Sequence, residues 1–352
     1  MYLMKPFGLR IAKSLLAAMI ALTGSDSICL SDDNDERAAS ATSSSAESPE
    51  FRPFHVLPRQ PAIISPPVLL VKNVQGEVTD SELVLGVVVN GQARAYPINM
   101  LNGPKREIIN DTLGDQPVVA MWCHLCHSAI VFDRRVNDQV LTFQVSGMLW
   151  NRTLVMRDLE TGSLWSLLLA KGMTGEMKAK DLKTLPSDLT TWAKWKSMHP
   201  ETTVLNISRS NDRFVREFYD EPRGFVFGFV ADGPHHVSLE TLRKARVMSF
   251  DLKRSPLIAT FDETTFSTHL FSRRIKDQEL SFELVAAETP TTVLMKDAQT
   301  QSVWDAYTGE AIEGPLKGTR LEQEIGTIAY SRNWKAFHPE SIDLPIRDGN
   351  SQ

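Results

Sequence analysis

The segment WCHLCHSAIVFDR (122–134) packs two cysteines and two histidines into five consecutive positions, Cys123, His124, Cys126 and His127 lying within 123–127. Several chemistries use those side chains at that spacing. C-x-x-C-H spells the attachment motif for a c-type haem. Thiolate and imidazole are ligands for zinc, and with a thioether such as Met148 they suit copper. Two thiols this close also form a dithiol or a disulfide. A single thiol beside a histidine is the pattern of a nucleophile. Haem is the poorest fit, because haem domains usually wrap helices round the porphyrin and the surrounding sequence is strand-rich. The metal reading names Cys123, Cys126, His127 and His124 as ligands to a transition metal, copper or zinc.

The elements that must position these groups read as short strands. Ser128-Ala129-Ile130-Val131-Phe132 follows the second cysteine and looks like a strand rather than a helix start. A thioredoxin-like C-x-x-C at a helix N-terminus is therefore disfavoured. Runs such as LTFQVSG and LVMRD alternate in polarity and are punctuated by Asn, Asp, Gly and Pro. Asn90-Gly91 and Asp232-Gly233 mark hairpins, because both central residues of a type I′ turn need positive φ. Short helices are predicted at Thr190–Met198 and Ser238–Lys244. The fold class expected is α+β and strand-rich.

The chain also repeats itself. FDRRVNDQVLTF (132–143) returns as FSRRIKDQELSF (271–282), LVMRDLETGSLW (154–165) as VLMKDAQTQSVW (293–304), and WKSMHPE (195–201) as WKAFHPE (334–340). At a single offset of 139 residues, 132–201 matches 271–340 at 21 of 70 positions. Unrelated segments of ordinary composition would match at roughly 4. The predicted organisation is two pseudo-symmetric repeats of one domain, 68–205 and 224–344, joined by a polar connection, 206–223.

Laid on that offset, Cys123 falls on Asp262, His124 on Glu263, Cys126 on Thr265 and His127 on Phe266. The scaffold does not need the thiols or imidazoles, since the second copy is built without them. Residues kept in both copies point the other way. Trp165 and Trp304, Trp195 and Trp334, and His199 and His338 read as core or turn residues. Arg134 and Arg273, with Asp158 and Asp297, read as Arg–Asp pairs tying strands together. VSGMLWNRT (145–153) is special to the first copy, so Met148, Trp150 and Asn151 are candidates for a pocket wall.

The N-terminus carries Lys5, Arg10 and Lys13, then an apolar run from Leu15 to Leu22. That is a signal-peptide pattern over 1–30, and the run is shorter than the roughly 20 residues a bilayer span needs. Residues 31–60 open on an acidic, serine-rich stretch that reads as a disordered spacer. Cys29 raises lipidation, but Asp26-Ser27-Ile28 is a poor match to the small residues that such processing prefers. Secretion or a periplasmic location is expected, with no transmembrane segment after signal removal, except for a tether at the N-terminus. The net charge of −5 excludes a nucleic-acid partner, because no basic run is long enough to form a phosphate-binding stripe. No other partner can be named.

WCHLCHSAIVFDR, VSGMLWNRTLVMRDLETGSLWS, TTWAKWKSMHPETTVL and GEAIEGPLKGTRLE together resemble the exported bacterial and archaeal proteins grouped as DUF3179, a domain of unknown function. The resemblance runs from about Val68 to Leu344. It implies Cys-Pro-Leu followed by Cys or Thr at the site matching Cys123 to Cys126. Here His124 stands where proline is usual, and His127 where a small or polar residue is. The resemblance therefore favours Cys123 over the rest of the motif, and it names no reaction. Two functions remain in view. One is a Cys/His metal or thiol-redox site in the first repeat. The other is a non-catalytic ligand-binding or scaffolding module stapled by a disulfide.

Overall fold

Period-two alternation with Asn, Asp and Gly at the turns favours antiparallel pairing, and each repeat answers with the same set of small sheets. The computed structural model describes residues 50–210, 214–285 and 292–345. The expected signal segment and residues 31–49 of the spacer lie outside the described residues.

In repeat one, β1 (Leu83–Val89) and β2 (Gln92–Pro97) form a hairpin. Asn90 and Gly91 hold φ of 48° and 79°, the turn that the sequence demanded. A second sheet holds β3 (Ile108–Leu113), β4 (Gln116–Cys123) and β5 (Ser128–Asp133). A third holds β6 (Phe143–Trp150) and β7 (Thr153–Asp158). The chain then returns as β8 (Ser187–Thr191) to pair with β1, and continues into α1 (Trp192–Met198).

Repeat two runs through the same course. Its first sheet holds β9 (Phe225–Val230) and β10 (Pro234–Ser238), followed by α2 (Leu239–Ala245). Its second holds β11 (Val247–Asp251), β12 (Pro256–Asp262) and β13 (Ser267–Ser272). Its third includes β14 (Phe282–Val285) and β15 (Leu294–Asp297). Then β16 (Gly326–Tyr330) pairs with β9 and leads into α3 (Ser331–Phe337). The fold is strand-rich α+β and the repeat is structural. Among the described residues no helix is long and apolar enough to cross a membrane.

Several local expectations need correction. The second hairpin pairs Val230 with Pro234, so Ala231-Asp232-Gly233 is a three-residue loop rather than a two-residue turn. The helices start one or two residues later than predicted, because Thr191 and Ser238 are their caps. Each side-chain oxygen accepts from the backbone N–H three residues on, which satisfies one of the free donors at a helix start. The last part of the predicted spacer is ordered: Phe54–His55 pairs with Met148 and Leu149 on β6.

The residues kept in both copies hold the scaffold, though not all as expected. Trp165 Nε1 donates to Asp158 at 2.8 Å and Trp304 Nε1 to Asp297 at 2.9 Å. Each aspartate also accepts from the turn that follows it. Arg134 donates to the carbonyls of Leu141 and Asp111, and Arg273 to those of Leu280 and Leu257. Neither arginine pairs with the expected aspartate: each guanidinium is buried against backbone carbonyls, and Arg273 pairs instead with Asp251 at the end of β11. Trp195 and Trp334 lie over Gly86 and Gly228, where a Cβ would run into the indole. His199 and His338 pack on those same tryptophans, with ring centroids 4.1 Å and 4.3 Å apart.

The main apolar core crosses from one repeat to the other and joins Leu85, Trp122 and Trp195 to Phe227, Phe261 and Phe266. Two smaller cores lie under the third sheets, one in each repeat.

Candidate functional site

The Cys/His segment is the turn between β4 and β5. Cys123 and Ser128 are its last paired residues, and His127 N–H closes it on the Cys123 carbonyl at 2.8 Å. His127 adopts φ 55°, and its counterpart Phe266 adopts φ 53° in the turn between Asp262 and Ser267. The turn is therefore a property of the scaffold, and the sulfur and imidazole are additions to it.

Cys123 and Cys126 are both fully buried and both free thiols. Burial pushes Cys123 well above the usual thiol range, helped by its hydrogen bond to Cys126, by that sulfur's charge and by Glu107. Burial acts against ionisation of Cys126 as well. The neighbouring Cys123, then Ser128 and Thr153, act the other way and hold this thiol below its usual value. The pair is asymmetric, and Cys126 ionises first.

The two histidines turn away from the sulfurs. His124 Nδ1 lies 2.6 Å from Glu107 Oε1, and its backbone N–H donates to the same oxygen. Glu107 is buried, which raises its carboxyl, while the His124 contacts oppose the rise. His127 sits in an aromatic box. Phe218 stacks on it at 4.4 Å, and Tyr330 and Trp122 meet it edge-on at 5.0 and 5.5 Å. Burial lowers its pKa to about 4. Among the described residues no group of three or more His, Cys, Asp or Glu gathers to hold a metal ion. Of the expected metal set, Cys123 and Cys126 share one turn, while His127 and His124 are engaged elsewhere. One imidazole is taken by a carboxylate and the other by aromatic rings.

The expected pocket-wall residues Met148, Trp150 and Asn151 lie along β6 and its turn. Asn151 and Arg152, at φ 48° and 58°, form the tight turn between β6 and β7. Trp150 is buried, packs edge-on against Phe51 and Phe337, and donates Nε1 to the Glu50 carbonyl. Met148 pairs with His55. Gly147, at φ 80°, lets the arm at Leu57 approach so closely that a Cβ would meet the Leu57 carbonyl. This block is special to the first copy because it docks the N-terminal arm.

Each repeat closes the other's turn. Tyr330 N–H donates to the Cys126 carbonyl and Thr191 N–H to the Thr265 carbonyl, each at 3.0 Å and related by the same offset of 139. Ser128 Oγ donates to the Ile328 carbonyl, and Thr190 Oγ1 lies 2.8 Å from Ser267 Oγ. Asn333 of α3 reaches across to Thr153 Oγ1 and the Asn151 carbonyl, at 3.1 and 2.9 Å. At the matching place in α1, Lys194 lies 4.3 Å over the Tyr307 ring.

The family model described as a protein of unknown function, DUF3179, matches residues 59–227 and again 220–341. This chain belongs to the DUF3179 family. The two matches correspond to the two structural repeats, and they overlap where the connection enters β9. No curated protein and no solved structure matches the chain.

Two features of this DUF3179 chain escape the sequence reading. The connection 206–223 is charged in composition, yet its Phe214, Phe218 and Tyr219 build the box round His127. Tyr219 also stacks on Phe266 at 4.3 Å, so it sits between the equivalent turns of both repeats. The second is a polar knot. Asp188 of β8 meets His269 Nε2, the Tyr307 hydroxyl and the Gln323 amide at 3.1, 3.2 and 3.3 Å. Burial works against its charge, but His269, then Gln323 and Tyr307, hold its carboxyl below the usual range. The available signal was the mirror of the one used for cysteine: His269 and Tyr307 stand where repeat one has Ile130 and Leu168.

Proposed function

We propose that repeat one of this exported protein carries a dithiol that cycles with its disulfide. The observation that carries the reading is the thiol pair itself. Cys123 and Cys126 are both free, fully buried and set in one tight turn, and each shifts the other's ionisation. The fold makes the same turn in repeat two without sulfur. The thiolate is the reacting species, so the sulfur with the lower pKa starts the exchange. Cys126 attacks one sulfur of a disulfide oxidant and releases the other as a thiol. Cys123 then loses its proton and displaces the bound half of the oxidant. Two electrons and two protons leave the dithiol in total, and the oxidant is reduced to two thiols.

Both sulfurs are fully buried, so exchange with any disulfide requires the turn to open, and a small-molecule oxidant needs the smaller opening. Export rests on the basic and then apolar N-terminus, and it provides a compartment where disulfides persist.

Equilibration with glutathione buffers of graded potential, followed by acid quench and intact-mass analysis, tests the reading. A reversible loss of two hydrogens is expected in the wild type and none in Cys123→Ser. A wild type that stays reduced across the whole range, with the fold intact, would sink it.

A further inference from the structure

A cavity of about 400 Å³ opens where the two repeats meet. Its walls include equivalent positions from both copies: Ile130 of β5 faces the role of His269 on β13, and Leu185 that of Glu324. Repeat one contributes apolar side chains at these places and repeat two polar ones. A fold that needed only a filled seam would be served by the apolar pair, so the polar pair is an addition, as the thiols are elsewhere.

The polar wall is not self-satisfied. His338 lines the cavity and is only 8% exposed, yet its Nε2 has no hydrogen-bond partner among the described residues. Such a buried orphan costs free energy that a ligand can recover. Glu324 also lines the cavity, and among the described residues no Lys or Arg forms an ion pair with it. His269 is held in place by Asp188 at 3.1 Å, so it shapes the wall. The lining contains no Lys or Arg.

We infer that this cavity binds a small organic amine with an apolar body, the ammonium at Glu324 and the body against Ile130, Leu185 and Leu168. The volume falls in the range of small-molecule sites, which are mainly apolar with a few fixed polar groups. Burial and the nearby Glu322 raise the Glu324 carboxyl, a strain that an adjacent cation relieves. Burial keeps His338 neutral, and a neutral imidazole accepts an N–H on its unprotonated nitrogen. The site uses neither cysteine and stands apart from the thiol reading.

Titration calorimetry and thermal shift on the full chain test it, with hexylamine, hexanol, hexanoate and methylamine as probes. Hexylamine is expected to bind and to raise the melting temperature, with hexanol weaker and hexanoate and methylamine silent. Glu324→Gln keeps the shape and should weaken hexylamine about tenfold while leaving hexanol unchanged. Ile130→Phe fills the apolar end and should abolish both. Failure of hexylamine to bind the wild type overturns the proposal, as does binding that neither variant changes. Equal binding of hexanoate overturns the amine class. If Ile130→Phe does not fold, the Glu324→Gln comparison decides alone.

Discussion

The turns at 123–128 and 262–267 share one backbone and differ in nearly every side chain that could react. In repeat one the turn buries two thiols and stacks His127 among aromatic rings. In repeat two Asp262 accepts from Thr264, and Phe266 takes the histidine's place against Tyr219. Since positive φ at the fourth turn residue and the cross-repeat bond to the turn carbonyl are common to both, neither explains the thiols. What duplication kept is scaffold, and what it allowed to diverge is where function should be sought. The polar knot at Asp188 and the cavity between the repeats follow the same logic in the reverse direction.

Four experiments would break or sharpen that comparison. The largest effect is expected where the copies agree. Trp165→Ala and Trp304→Ala should each cost about 3–5 kcal/mol, from the cavity and from an aspartate left without its indole donor. Denaturant unfolding should show similar losses, and a large loss in one copy only would mean that the repeats are not mechanically equivalent.

His127→Phe installs the residue of the other turn. The folded pKa of His127 is about 4, below the ordinary 6.5, so the unfolded chain binds the proton more readily. The stability it contributes is full above pH 6.5 and is lost as pH falls towards 4, by about 3 kcal/mol across that window. The variant should lose less stability than wild type between pH 7 and pH 4.5 in urea titrations. An unchanged acid slope would remove His127 from the account.

The reciprocal caps should prove unequal. Asn333→Ala leaves buried partners at Thr153 and Asn151 and should cost about 1–3 kcal/mol. Lys194→Ala removes a contact over Tyr307 and should cost about 0.5–1 kcal/mol. Thermal melts of the two variants would sharpen the comparison, and equal shifts would contradict it.

Cys126→Thr, which copies Thr265, should change stability about as little as Lys194→Ala. Ser128 and Thr153 can satisfy the new hydroxyl, so the cost should stay near 1 kcal/mol while reversible oxidation disappears. Loss of the fold would show that the sulfur is structural after all.

Much of the fold was legible because local patterns repeat. The Asn90-Gly91 turn, the strand after Cys126 and the two capped helices all follow from contacts within a few residues. The offset of 139 carries the pseudo-symmetry in the sequence itself. The site was far less legible. His127 lies four residues from Cys123 but spends its ring on Phe218 and Tyr330, which come from the connection and from repeat two. The charged connection concealed its three aromatic residues because composition averages over them. The contact of Trp150 with the arm at 50–58 is not legible, because that arm reads as spacer.

The sequence by itself determined that there are two copies of one strand-rich unit, and that only the first holds the thiols and imidazoles, because periodicity and identity are linear properties. Tertiary structure alone decided which of those groups meet. It joined Cys123 to Cys126, sent His124 to Glu107 and His127 to the aromatic box, and closed each turn with a strand from the opposite repeat. The physical reason is that convergence depends on how sheets from distant parts of the chain pack over a shared core, and neither spacing nor residue type encodes that distance.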